Sequence, residues 1–256
     1  WVNFQGAPET TTFGAHTALM KGRVGVGLLA TNDQIGSYRN TGLFLNYAYI
    51  IKDPANNGVL SMGISAGANN YKADFEELTL KSGQDPIFNV FMNEFRPNFG
   101  GGIFYYNKKM FAGFSVPAIL THGSLFSGKL EQLKTPRFYY LNAGLKMPLD
   151  PRTQKVILHP SFLVRAQEGT PLSVDFTLNV VFDQIISVGS SYRSGDGAIV
   201  FVNYKLSEKF YVGYSYDYTT SDIRKFSNGS HEIMINYRTR IPMVHKNLDC
   251  PHVYSH

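Results

Sequence analysis

The segment Pro97–Leu120, PNFGGGIFYYNKKMFAGFSVPAIL, decides the fold. On either side of Asn107-Lys108, small residues alternate with large ones that are mostly aromatic or aliphatic. Three glycines, Gly100 to Gly102, lead directly into Ile-Phe-Tyr-Tyr. Glycine weakens a strand, and a bare two-stranded hairpin is marginal in water. Such a hairpin persists as two staves of a larger sheet whose faces meet different media. Ile103, Tyr105, Ala112, Phe114 and Val116 fall on one face, and Gly100, Gly102, Gly113 and Ser115 on the other. Pro117 cannot donate to a ladder, so it marks a rim or bulge where the second strand ends.

The same period of two runs through most of the chain, and a 3.6-residue period almost nowhere. In GVLSMGISAGANN, Leu60, Met62, Ile64, Ala66 and Ala68 oppose Ser61, Gly63, Ser65, Gly67 and Asn69. In PLSVDFTLNVVF, Leu172, Val174, Phe176, Leu178 and Val180 oppose Ser173, Asp175, Thr177 and Asn179. Thirteen such segments are expected, at about 9–18, 23–31, 41–51, 59–69, 97–106, 109–118, 137–148, 155–165, 171–181, 184–193, 198–206, 209–219 and 230–238. Short joins such as NKK, DQ and SEK alternate with longer ones: NDQIGSYRN, a stretch around 70–96, and THGSLFSGKLEQLKTP. That habit belongs to outer-membrane barrels, which pair short periplasmic turns with longer outside loops and have an even number of strands. Thirteen is one short, so a further strand is expected ahead of Trp1, with both termini on the periplasmic side.

Composition agrees. Charged residues are 17% of the chain, below the roughly 25% of soluble domains, and aromatics reach 14%. No window approaches the roughly 18 continuous apolar residues of a membrane helix, whereas a barrel spreads its lipid-facing residues over alternate positions. The fold class expected is therefore all-β: a transmembrane barrel of fourteen antiparallel strands over residues 1–238, followed by a periplasmic tail at 239–256. A soluble β-sandwich also alternates. Against it stand the number of segments, their length and the tyrosines near strand ends. Tyr47, Tyr49, Tyr105, Tyr139, Tyr192, Tyr204, Tyr218 and Tyr237 suit the aromatic girdles at the two membrane interfaces.

Enzymatic and cofactor chemistry finds little support. GVGLLA at 25–30, with Asp53 downstream, matches a dinucleotide pattern but sits inside an alternating strand, where no helix opens. His159 and Ser161 share a strand face about 7 Å apart, too far for a nucleophile and its base, and read as polar lining. His245, His252 and His256, with Asp249 and Cys250, match no zinc spacing. Asp74, Glu76 and Glu77 lack calcium-loop spacing. The net charge of +5 comes without a basic cluster, which disfavours nucleic acid. No cofactor, metal or catalytic residue is assigned.

WVNFQGAPETTTFGAHT, GVGLLATNDQIGSYRNTGLFLNYAYII, LSMGISAGANNYKADF, PNFGGGIFYYNKKMFAGFSVPAIL and GSHEIMINY together resemble the PorP/SprF family of Bacteroidota outer-membrane proteins, associated with type IX secretion and gliding motility. The resemblance extends from Trp1 to about Tyr237. It implies a further strand upstream, no catalytic residues, and an outer-membrane barrel that retains or presents a secreted surface protein such as an adhesin. It also implies contact with periplasmic lipoprotein and ring components of the motor.

Three regions are candidates for partner contact. The first is 70–95, with Phe75, Phe88, Phe91 and Phe95; the second is 121–136, with Leu125 and Phe126; the third is the tail, with Arg240, His245 and Lys246. Small residues, Gly63, Gly67, Gly100, Gly102 and Gly213 among them, are expected to line the lumen and leave room for a client segment. A porin-like channel is the alternative function, and a barrel hydrolase using His159 and Ser161 a third.

Overall fold

Alternating segments pair wherever the joins between them supply turn chemistry. Asp183 and Gln184 both take left-handed φ angles, 47° and 58°, the geometry that closes a tight hairpin in register with strand twist. At Asn107, the side-chain Oδ1 accepts the backbone N–H groups of Lys109 and Met110 at 2.8 and 2.9 Å. The structure, a computed structural model, describes residues 7–53, 55, 57–74, 91–121, 136–150, 152–153, 155–195, 197–220 and 229–239. Its strands are β1 (Glu9–Leu19), β2 (Val24–Ile35), β3 (Tyr38–Asp53), β4 (Gly58–Asp74), β5 (Phe91–Tyr106), β6 (Met110–Val116), β7 (Phe138–Leu145), β8 (Met147–Pro148), β9 (Val156–Gln167), β10 (Ser173–Phe182), β11 (Ile186–Arg193), β12 (Gly197–Lys205), β13 (Phe210–Thr219) and β14 (Ser230–Tyr237). All belong to one antiparallel sheet ordered as in the sequence, with the two-residue β8 off the path on β9.

The thirteen staves on that path are the thirteen expected segments. β1 and β14 are not paired with each other among the described residues, so the sheet is not closed. Twelve antiparallel steps separate them, so both edges run in the same direction. A strand antiparallel to both edges therefore runs opposite to them.

Burial is inverted relative to a water-soluble sheet. On β3, Leu43, Leu45, Tyr47, Tyr49 and Ile51 face outward and are exposed, while Gly42, Phe44, Asn46, Ala48 and Ile50 form the other face. Leu45 is 65% exposed and Ile64 66%, yet Asp175 and Asn179 are each only 7% exposed. Apolar side chains turned outward around polar ones turned inward suit a hydrocarbon exterior. All eight predicted girdle tyrosines lie on the outward face by register. Tyr47, Tyr49, Tyr105, Tyr204 and Tyr237 lie toward the end that carries Asn107-Lys108, here called the turn end. Tyr139, Tyr192 and Tyr218 lie toward the opposite, loop end.

Two expectations change at the loop end. NDQIGSYRN is no long loop: β2 and β3 run on until Ile35 pairs with Tyr38, around Gly36 at φ 55°. Residues 70–74 and 91–96, also expected in a loop, pair as strand from Asn70↔Phe95 to Asp74↔Phe91. β4 has 17 residues, about 56 Å at 3.3 Å per residue and roughly 40 Å once tilted. The apolar band of such barrels is only about 25 Å tall. β2 to β5 thus rise past the band as a wall. Its outward face turns polar one rung above Leu43 and Ala68, at Thr41 and Asn70. A third change is small: the segment expected at 137–148 breaks at Lys146 into β7 and β8.

Pro117 ends β6 as expected, with Val116 the last strand residue. A Cβ on Gly100 would collide with the Pro117 backbone, whereas one on Gly63 would meet neighbours at 3.5 Å or more. Gly100→Ala should therefore destabilise the barrel by about 1–3 kcal/mol. Gly63→Ala should be neutral or slightly stabilising, because it stiffens the unfolded chain. The urea midpoint of the heat-modifiable band on a cold gel measures both; equal midpoints would remove the close contact at Pro117.

Candidate functional site: the polar inner face

The inner face is built rung by rung from residues that sit opposite each other across strands. One rung places His159 against Asn179, another Ser161 against Thr177 and Ser191, and a third Asp175 against Arg193. Toward the loop end these rungs hold an ionic ladder. Arg165 Nη2 donates to both oxygens of Asp175 at 3.0 and 3.1 Å, and also to Ser173 Oγ at 3.2 Å. Arg193 Nε donates to Asp175 at 3.1 Å, and its Nη1 lies 3.5 Å from Asp217. Thr177 donates to Ser191 at 2.8 Å, and Asn203 to Ser187 at 3.1 Å. Asp175, Thr177, Ser191 and Asn203, with Phe111, Phe201 and Met234, line a cavity of about 530 Å³.

His159 and Ser161 both line that cavity, with Asn179 as the cross-strand partner of His159. The three do not form a relay. Neither His159 Nε2 nor Asn179 Oδ1 has a hydrogen-bond partner among the described residues, so the imidazole is not bonded to either neighbour. A serine nucleophile needs its base in contact and oriented by a third group. The arrangement is a polar lining.

A second cavity, about 1090 Å³, occupies the turn-end half beside β1 to β5. Gly14 of β1, Asn46 of β3, Ser61 of β4, Phe104 of β5 and Lys146 beyond β7 all line it, so the sheet curls around this space. Lys52 and Lys108 line it as well. Burial pulls the Lys146 ammonium below its ordinary pKa. In the following turn, Asp150 accepts hydrogen bonds from Thr153 Oγ1 and the Arg152 N–H, and these bonds lower its carboxyl pKa.

The glycines expected to line the lumen lie on this inner face. Gly63 pairs with Gly102, Gly100 with Ser65 and Gly67 with Asn98, a patch of small residues across β4 and β5. Gly213 opposes Asn203 and borders the smaller cavity. Room is local, however. A Cβ on Gly67 would strike Leu43 O and the Phe44 backbone, and one on Gly102 would meet Phe114 O and Ser115 at 2.9 Å. There the missing side chain lets neighbouring strands approach closely.

Of the aromatic loop residues, Phe95 stands on the outward face of the projecting wall and is 74% exposed. Phe91 is the first residue of β5. Phe75, Phe88, Leu125, Phe126, Arg240, His245 and Lys246 lie outside the described residues. On the inner face of the wall, Arg96 pairs with Glu94 and lies over the Tyr71 ring at 5.0 Å, with Tyr38 beside it. The ionic ladder was not anticipated: each member is a lone charge on a separate strand. Only the register brings them together.

Among the described residues no helix is long and apolar enough to cross a membrane. A comparison with curated proteins returns no match. A family model described as "Type IX secretion system membrane protein PorP/SprF" matches residues 1–237, nearly all of the chain and every stave of the sheet. With an all-β sheet that is apolar outside and polar inside, the chain belongs to the PorP/SprF family of type IX secretion system membrane proteins.

Proposed function

We propose that this barrel retains or escorts a secreted surface protein, adhesin-like in character, at the outer membrane and links it to the secretion and gliding motor. The turn end and both termini then face the periplasm, where lipoprotein and ring components are the partners, and outer-membrane lipid surrounds the apolar band. The match to a secretion-system membrane family is the observation that carries this reading. The polar inner face supports it, because an extended client segment needs hydrogen-bonding partners inside the barrel, and the rungs of Asn, Ser and Thr supply them. A closing strand between β14 and β1 completes the barrel in this reading. The tail from 240 onward is a further periplasmic contact.

Extraction in gentle detergent, capture of the barrel and mass spectrometry of what accompanies it tests this reading. The expected result is a large secreted protein at a stoichiometric level; a barrel that emerges alone sinks it. The two cavities favour one other reading, a porin-like channel. A client-holding barrel is expected to be nearly silent in planar bilayers, and steady single-channel conductance by the purified protein would decide for the porin.

A further inference from the structure

Charge is distributed very unevenly between the two ends. The turn-end segments and the residue after β14 hold eleven Lys and Arg against four Asp and Glu, a net +7. The other described side chains comprise six basic and seven acidic residues. Part of this surplus points into the barrel. Lys52 continues the inner row of Asn46, Ala48 and Ile50 on β3, and Lys52, Lys108 and Lys146 line the 1090 Å³ cavity together. At the same height the outward row shows Tyr49, Ile51 and Tyr105. Lys205 also takes the inner face, where it pairs with Glu208 at 2.7 Å.

The mouth carries three lysines against one carboxylate, Asp53. A cleft with such a surplus of one sign and low-dielectric walls focuses its field and draws in opposite charge. Phospholipid headgroups lie against the outward face, so inward-pointing ammonium groups cannot serve them. Behind these lysines the cavity wall is small and mostly uncharged, with Gly25, Gly27 and Gly58, which lets a chain approach the strands. We propose that the turn-end mouth is a docking site for an acidic, extended protein segment of a partner, held by Lys52, Lys108 and Lys146 at the floor of the barrel. The partner's compartment rests on the periplasmic orientation proposed above; the chemistry of the mouth does not.

The test uses the full chain in neutral detergent and a fluorescent ten-residue glutamate peptide as probe, with a lysine peptide of equal length as control. The glutamate peptide should bind and the lysine peptide should not. Lys52→Gln with Lys108→Gln should weaken binding about tenfold or more, while Lys72→Gln, at the loop end, should leave it unchanged. Binding should vanish in 1 M salt, where the Debye length is about 3 Å. Heat-modifiable migration confirms that each variant is folded. Equal affinity in the double variant overturns the proposal. So does loss of peptide binding on transfer from zwitterionic to phosphatidylglycerol nanodiscs, which would make headgroups the occupant. In a Cys250→Ser background, a cysteine placed by Lys108→Cys should resist an impermeant maleimide added to intact cells. Labelling there would overturn the orientation, independently of the binding result.

Discussion

Leu45→Arg is expected to destabilise the barrel in a bilayer by about 2–4 kcal/mol, the range for a cation at the midplane of a barrel's lipid face. Leu45 lies inside the outward row from Leu43 to Ile51, so an arginine there is two outward positions from the polar rung at Thr41 and farther still from Asp53 at the other end. Its neighbours at that level, Leu28 and Ala66, offer no acceptor. The adjacent Asn46→Arg points into the cavity and is expected to change stability by less than about 1 kcal/mol. Reversible urea unfolding in lipid vesicles, read from the fraction that keeps folded mobility, gives both values. In a soluble sheet the order reverses: an exposed Leu becomes Arg at almost no cost, and the inward substitution is the damaging one. Equal effects, or the reverse order, would remove the membrane assignment of the two faces.

That two-sidedness explains how far the sequence could be read. Alternation is visible only where the two faces of a strand meet different media. From Leu43 to Ile51, or Leu60 to Ala68, one face meets hydrocarbon and the other the polar interior, so apolar residues interleave with small or polar ones, Phe44 and Ile50 excepted. Above the band both faces meet water. There the pattern dissolves into Thr-Asn-Asp-Gln at 31–34, Asn-Asn-Tyr-Lys at 69–72 and Asn-Glu-Phe-Arg at 93–96, which read as loop although they pair as strand. The turns were legible because their chemistry is local, at Asn107, Asp150 and Asp183. The break at Lys146 was not, because alternation runs on through Met147.

The inner face was legible as a set of positions but not as a set of contacts. Period two alone puts Gly63, Gly67, Gly100, Gly102 and Gly213 on it. Which of them leave space depends on how closely the neighbouring strand passes, and that depends on twist. The lysine mouth is intermediate. The turns other than Asp183-Gln184 show one to three cations each, unremarked singly, and only the up-and-down topology gathers them at one end. Charge that looked scattered along the chain is therefore segregated in space.

The ionic ladder, the feature least visible in sequence, has the second large expected effect. Asp175, with a side chain 10% exposed, is shared between Arg165 and Arg193, which are 30% and 22% exposed. Asp175→Asn keeps the shape but leaves two guanidinium groups facing each other without the anion between them. Loss of charge-assisted hydrogen bonds at about 1.5–3 kcal/mol each would exceed the total effect here, because both arginines retain access to water in the interior. The expected cost is about 2–3 kcal/mol, short of the ~3–5 kcal/mol for breaking a fully buried pair. Adding Arg165→Gln should recover at least ~1 kcal/mol of it, since the repulsion goes with the second charge. Glu168→Gln, in the exposed pair with Arg137 at 3.6 Å, is the contrast and should shift stability by no more than about 0.5 kcal/mol. Urea unfolding of the parent, Asp175→Asn, Arg165→Gln and the double variant in the same vesicles gives the cycle. Additive values would mean that the ladder is solvated well enough to act as separate ions, and the loop-end half of the barrel would then be a hydrated lumen without a polar clamp.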